Sequence, residues 1–130
     1  MLSDLMPAIW SIHASINYLT EHFSEIAARE KCLMKYLLDG LKEINSVTVY
    51  DEDSMRVATC SINVEGISSD KLVALLDTNG VCVRGGIHCA IIAHEAIGTV
   101  STGTVRLSLN YMNTEQEIDT VLDILRNVGE

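Results

Sequence analysis

Arg84-Gly85-Gly86-Ile87-His88-Cys89-Ala90 is the stretch around which the rest of the chain is arranged. The apolar run Val81-Cys82-Val83 ahead of it predicts a short strand. Ile91 to Gly98 behind it predicts a short helix that ends on a glycine. Two adjacent glycines read as a tight connection, where the backbone can take φ > 0 or approach a ligand closely. A thiol follows just before a helix N-terminus, with a cation at Arg84 and an imidazole at His88. Such neighbours lower a thiol's pKa, and the thiolate is the nucleophilic form. The alternative is a buried, inert cysteine in a glycine-containing loop.

A chain of 130 residues has room for one domain with a real core and is too short for most two-domain enzymes. Its 48% hydrophobic and 21% charged residues describe a globular chain, not a disordered one. A net charge of −9 argues against nucleic acid as a partner. No apolar run is long enough to cross a bilayer, and no basic segment precedes an apolar one, so neither a membrane span nor a signal peptide is expected. Cys32, Cys60, Cys82 and Cys89 then read as reduced thiols of a cytoplasmic protein.

Upstream of the central stretch, Lys71 to Thr78 predicts an amphipathic helix carrying Leu72, Val73, Leu75 and Leu76. Ser68-Ser69-Asp70 opens it and Asn79-Gly80 closes it. Val47 to Tyr50 and Arg56 to Val64 predict two strands joined by the polar turn Asp51-Glu52-Asp53-Ser54, which reads as solvated and not as a metal site. The first third reads as two helices. One carries Ile9, Ile12, Ile16 and Leu19; a break follows at Thr20 to Ser24; the other runs from about Glu25 to Ile44 with Ile26, Leu33, Leu37, Leu41 and Ile44 as its stripe.

Downstream, Thr104 to Leu109 alternates as a strand, with Val105, Leu107 and Leu109 on one face and Thr104, Arg106 and Ser108 on the other. A cation in mid-strand is costly unless solvated or paired. Arginine binds carboxylates bidentately, so Arg106 facing a cleft is a candidate anion holder. The alternative is a solvated arginine on an edge strand. Asn113-Thr114 with Glu115 and Glu117 caps a final helix whose stripe is Ile118, Val121, Leu122 and Leu125. The order predicts an α+β domain: a small antiparallel or mixed sheet covered by helices on one face and preceded by long N-terminal helices. The N-terminal helices take residues 1–45 and the α/β sandwich residues 46–130 of a single domain. Cys82, His88, Cys89 and His94 do not have a zinc-site spacing, so no metal is expected.

The run VCVRGGIHCA, then HEAIGT, then TVRLSLNYMNTEQEID resembles the C-terminal small domain of the class V aminotransferases, fold-type I enzymes dependent on pyridoxal phosphate (PLP). More narrowly it resembles the cysteine desulfurase and selenocysteine lyase group. The specific parts are R-x-G-x-H-C-A at Arg84 to Ala90 and V-R-x-S-x-x-x-x-N-T at Val105 to Thr114. The resemblance implies that Cys89 is the persulfide-forming cysteine, that Arg106 holds the substrate α-carboxylate, and that Arg84 and His88 flank the active-site loop. Ile87 stands where the family often has a second histidine, and Ile91 where it often has proline.

In the implied reaction, PLP acts as electron sink on L-cysteine or selenocysteine. The thiolate takes the sulfur, alanine leaves, and the persulfide passes to an acceptor protein. The family's PLP-binding large domain, with its lysine and phosphate cradle, has no counterpart here. Lys31, Lys35, Lys42 and Lys71 all fall on predicted helices without a cofactor motif. The chain is thus expected to bind no PLP alone, to lack desulfurase activity alone, and to form a homodimer through its N-terminal helices. The alternative is a non-catalytic sulfur carrier or protein-interaction module. A transaminase or epimerase relative would need no thiol at this position.

Overall fold

A computed structural model of the chain describes residues 6–50, 57–87 and 90–128. The elements run α1 (Met6–Lys42), β1 (Val47–Tyr50), β2 (Thr59–Val64), α2 (Ser69–Thr78), β3 (Arg84–Gly86), α3 (Ile91–Ala96), β4 (Thr104–Ser108) and α4 (Glu115–Val128). The four strands form one sheet in the order β1-β2-β4-β3, and each neighbouring pair is antiparallel. The α+β class holds, and the sheet is antiparallel rather than mixed.

Alternation along the strands sorts the sheet into two faces. Cys60, Ile62 and Val64 of β2 and Val105 and Leu107 of β4 are buried with Leu33, Leu37 and Leu41 of α1, Leu72 and Leu76 of α2, and Ile118, Leu122 and Leu125 of α4. Helices α1, α2 and α4 therefore pack on one side. Between α1 and α4, the Tyr36 hydroxyl donates to Asp119 Oδ1 at 2.8 Å. That bond to a carboxylate holds the tyrosine's proton above the ordinary phenol range. Arg29 adds an ion pair to Glu115 at 3.8 Å. The expected cap opens α4: Thr114 N–H donates to Glu117 Oε2 at 2.8 Å, and Glu117 N–H donates to Thr114 Oγ1 at 3.2 Å. These bonds favour the ionised carboxylate and hold the Glu117 pKa below its usual value.

Two expectations are corrected. The first third is one continuous helix, not two with a break at Thr20 to Ser24. Hydroxyls that read as breakers are absorbed by the helix itself: Ser11 donates to Pro7 O at 2.8 Å, Ser15 to Ser11 O at 2.9 Å and Thr20 to Ile16 O at 2.8 Å. No glycine or proline lies between Pro7 and Gly40 to interrupt it. Second, Val81-Cys82-Val83 is not strand; the strand is Arg84-Gly85-Gly86, where the paired glycines predict a tight connection. The acidic turn at residues 51–54 and Arg56, the expected start of β2, lie outside the described residues.

Packing explains why those glycines sit in a strand. A Cβ on Gly85 would lie 2.5 Å from Val73 Cγ2 of α2. The bare backbone is what allows α2 to close on β3. The turn before β4 approaches equally closely, since a Cβ on Gly103, itself at φ +63°, would lie 2.8 Å from Gly86 Cα.

Candidate functional site

The face of the sheet away from the helices carries the polar residues. Pairing places Tyr50 opposite Ser61, Ser61 opposite Arg106, and Arg106 opposite Arg84. One row thus crosses all four strands, with two arginines adjacent at one end. Asn63 in the next row donates to Gly103 O at 3.0 Å and to the Tyr50 hydroxyl at 3.3 Å. On the other side of the row, Thr59 Oγ1 donates to Ser108 Oγ at 3.3 Å.

Arg106 sits on an inner strand, since β4 lies between β2 and β3. The solvated edge-strand reading is therefore excluded. The residue is half-buried, and its Nε is buried without an acceptor among the described residues. A cation directly across a ladder from another cation is destabilising. A buried donor without an acceptor adds a desolvation cost. An anion seated against Arg106 would supply that acceptor, and a carboxylate matches the guanidinium's fork of donors.

Of the four residues singled out in the sequence, the structure brings Arg84 and Arg106 together; His88 and Cys89 lie outside the described residues. The segments on either side of them are well anchored. Gly86 is the last paired residue of β3, opposite Thr104. Ala90 O accepts the His94 N–H at 3.1 Å. His94 is buried, and its Nδ1 lies 2.7 Å from the buried Thr99 Oγ1. Thr99 N–H donates to His94 O, and Gly103 N–H donates to Thr99 O, both at 2.8 Å. This ties α3 to the turn that feeds β4, and so ties the segment behind Cys89 to the strand bearing Arg106.

Ser61, Asn63 and Tyr50 were not anticipated as neighbours of the arginine. Alternation in β2 could have put Ser61 and Asn63 on the polar face, but only the strand order sets them beside Arg106. Of the remaining thiols, Cys60 is buried, whereas Cys32 and Cys82 are exposed. No three metal-ligating side chains gather among the described residues. A cleft of about 320 Å³ between the 79–83 segment and α4 is lined by Leu37, Val81, Leu107, Ile118 and Glu117, but by neither arginine. Its carboxylate is already engaged in capping α4, so this cleft is not the candidate site. No helix among the described residues is long and apolar enough to cross a membrane.

Comparison with known proteins bears on this arrangement. The profile of the family described as aminotransferase class-V matches residues 3–121. A probable cysteine desulfurase of Synechocystis is 32% identical over 120 residues, covering 89% of this chain and 28% of the relative. One from Xylella fastidiosa (strain Temecula1) is 31% identical over 118 residues, covering 90% and 28%. The solved apo structure of cysteine desulfurase from Thermococcus onnurineus NA1 superposes with a TM-score of 0.81 at 30% identity, covering 88% of this chain and 29% of that one. The chain thus spans less than a third of the length of these relatives.

Proposed function

The chain belongs to the class V aminotransferase family, and from that premise we propose that it supplies the thiol-and-carboxylate half of a cysteine desulfurase site. In this reading Arg106 grips the α-carboxylate of L-cysteine or selenocysteine, and Arg84 completes the anion site. Cys89 is the thiolate that takes up sulfur, and His88 flanks it. The single observation that carries the reading is the buried Nε of Arg106, on an inner strand and without an acceptor among the described residues, with a second arginine across the ladder.

The cofactor that the family implies does not fit the described residues. PLP needs a lysine near the reacting carbon. Lys31, Lys35 and Lys42 are carried by α1 and Lys71 by α2. Both helices pack on the apolar side of the sheet, while Arg106 alternates onto the opposite side. The described chain offers a substrate clamp without a cofactor anchor. We propose that it binds no PLP on its own and completes a site only with a complement carrying that anchor. It would otherwise serve as a non-catalytic carrier, with Cys89 holding sulfur for an acceptor protein in the cytoplasm. We also propose that the chain is a homodimer through α1.

Competitive alkylation followed by peptide mass spectrometry tests the thiol assignment. Cys89 should react faster than the exposed Cys32 and Cys82, and Cys60 slowest. Faster labelling of Cys32 or Cys82 would overturn the role given to Cys89. Incubation with PLP and L-cysteine should release neither sulfide nor alanine at a steady rate; sustained release would refute the missing anchor.

A further inference from the structure

We infer that His94 and Thr99 are positioning residues for Cys89, an imidazole–hydroxyl pair that fixes where α3 holds the far end of the thiol-bearing segment. The inference rests on the reading of Cys89 as the sulfur-accepting thiolate. α3 is six residues long, too short to be stable through its own hydrogen bonds. The other helices are anchored by leucines: Leu33, Leu37 and Leu41 in α1, Leu72 and Leu76 in α2, Leu122 and Leu125 in α4. α3 buries one residue, and that residue is His94, at 5% exposure. Its Ile91 and Ile92 stand outside the core.

A buried imidazole is costly unless it is hydrogen-bonded. His94 Nδ1 lies 2.7 Å from Thr99 Oγ1, and Thr99 is itself only 3% exposed. Thr99 N–H donates back to His94 O at 2.8 Å, so the two residues are joined twice. An apolar side chain could fill the same space, but burial of that kind has no direction. A hydrogen bond does, and it sets the rotation of the short helix as well as its depth.

Both ends of the segment that carries Cys89 stand on one turn, residues 99–103. Ahead of it, Gly86 pairs with Thr104, and a Cβ on Gly103 would come within 2.8 Å of Gly86 Cα. Behind it, Ala90 O accepts the His94 N–H at 3.1 Å, and His94 is held by Thr99. Ala90 N–H also donates to Ile87 O at 3.4 Å, which draws the two ends together. The turn is itself fixed from two other elements. Ser69 Oγ of α2 donates to Thr102 O at 2.7 Å, and Asn63 Nδ2 of β2 donates to Gly103 O at 3.0 Å. The near end is thus set by strand pairing and close packing, and the far end through His94 and Thr99. A thiol's reactivity follows the charges and dipoles around it, and so follows where its segment is held.

Alkylation of the full chain, followed cysteine by cysteine with peptide mass spectrometry, tests the role. Cys32 and Cys82 serve as exposed references, and buried Cys60 reports unfolding. Thr99→Val keeps the side chain's shape and removes its hydroxyl. It should slow Cys89 by roughly three- to tenfold, toward the rate of Cys82, while Cys60 stays protected. Thr99→Ser keeps the hydroxyl, and His94→Asn places an amide where Nδ1 was; both should leave Cys89 within about twofold of the parent chain. An unslowed Cys89 in Thr99→Val overturns the positioning role and leaves the thiolate reading intact. A parent chain whose Cys89 reacts no faster than Cys82 overturns both. Slowing in Thr99→Ser as large as in Thr99→Val overturns the hydroxyl link. Labelling of Cys60 in step with each change at Cys89 makes the pair part of the scaffold and overturns the role as well.

Discussion

The two faces of the sheet are built from the same strands by alternation, yet they have opposite characters. On one, Ile62 and Val105 are wholly buried under three helices. On the other, one residue away in each strand, Ser61 and Arg106 form part of a polar row that ends in two facing arginines. The first face is satisfied by its own chain. The second carries two facing arginines, and the buried Nε of Arg106 finds no acceptor among the described residues. Alternation assigns each side chain to a face, but the match between a face and its surroundings decides whether it serves stability or binding.

Neighbouring substitutions in β2 test that contrast most strongly. Ile62→Ala should destabilise by about 3 kcal/mol in chemical denaturation, through lost burial and a residual cavity. Ser61→Ala beside it should stay within about 0.5 kcal/mol. Equal costs would mean that the polar face is also structural. A smaller effect is expected at Gly85, where α2 meets the sheet. Gly85→Ala must push Val73 aside and should cost about 1–2 kcal/mol, with β3 loosened in amide exchange.

The helix cap gives a weaker probe of the covered face. Thr114→Ala should cost about 1 kcal/mol. Because Glu117 has a depressed pKa in the folded state, its contribution is present above about pH 4.5, the ordinary carboxylate value, and fades as pH falls through the lower folded value. Glu117→Gln should flatten that part of the pH–stability curve. The smallest shift carries the opposite sign. Arg106→Thr should stabilise the fold by about 0.5 kcal/mol by removing one of two facing cations. The same change should abolish any protection of Cys89 from alkylation by added amino-acid carboxylate. Destabilisation by Arg106→Thr would identify the arginine as part of the scaffold and remove the basis of the proposed site.

α1 repeats the lesson at larger scale. Its apolar period was readable throughout, and the same spacing ends up buried at Leu33 and Leu37 and open at Ile12 and Ile16. The break expected at Thr20 to Ser24 was a misreading of local polarity, because hydroxyls can return their hydrogen bonds to the preceding turn. The final helix was read correctly with its cap, since Thr114 and Glu117 act within one turn of each other.

From β1 onward the sequence by itself determined the order of the elements, together with the α+β class and which side of β4 each residue takes, because helix period, strand alternation and caps are all local. It also carried the two motifs that mark the family. Only the tertiary structure decided that Gly85 and Gly86 belong to a strand, that β4 is an inner strand, and that Arg106 faces Arg84 with Ser61 alongside. Those are matters of register and strand order, fixed by residues distant in the chain meeting across a ladder, and by α2 pressing close enough to exclude a Cβ at Gly85.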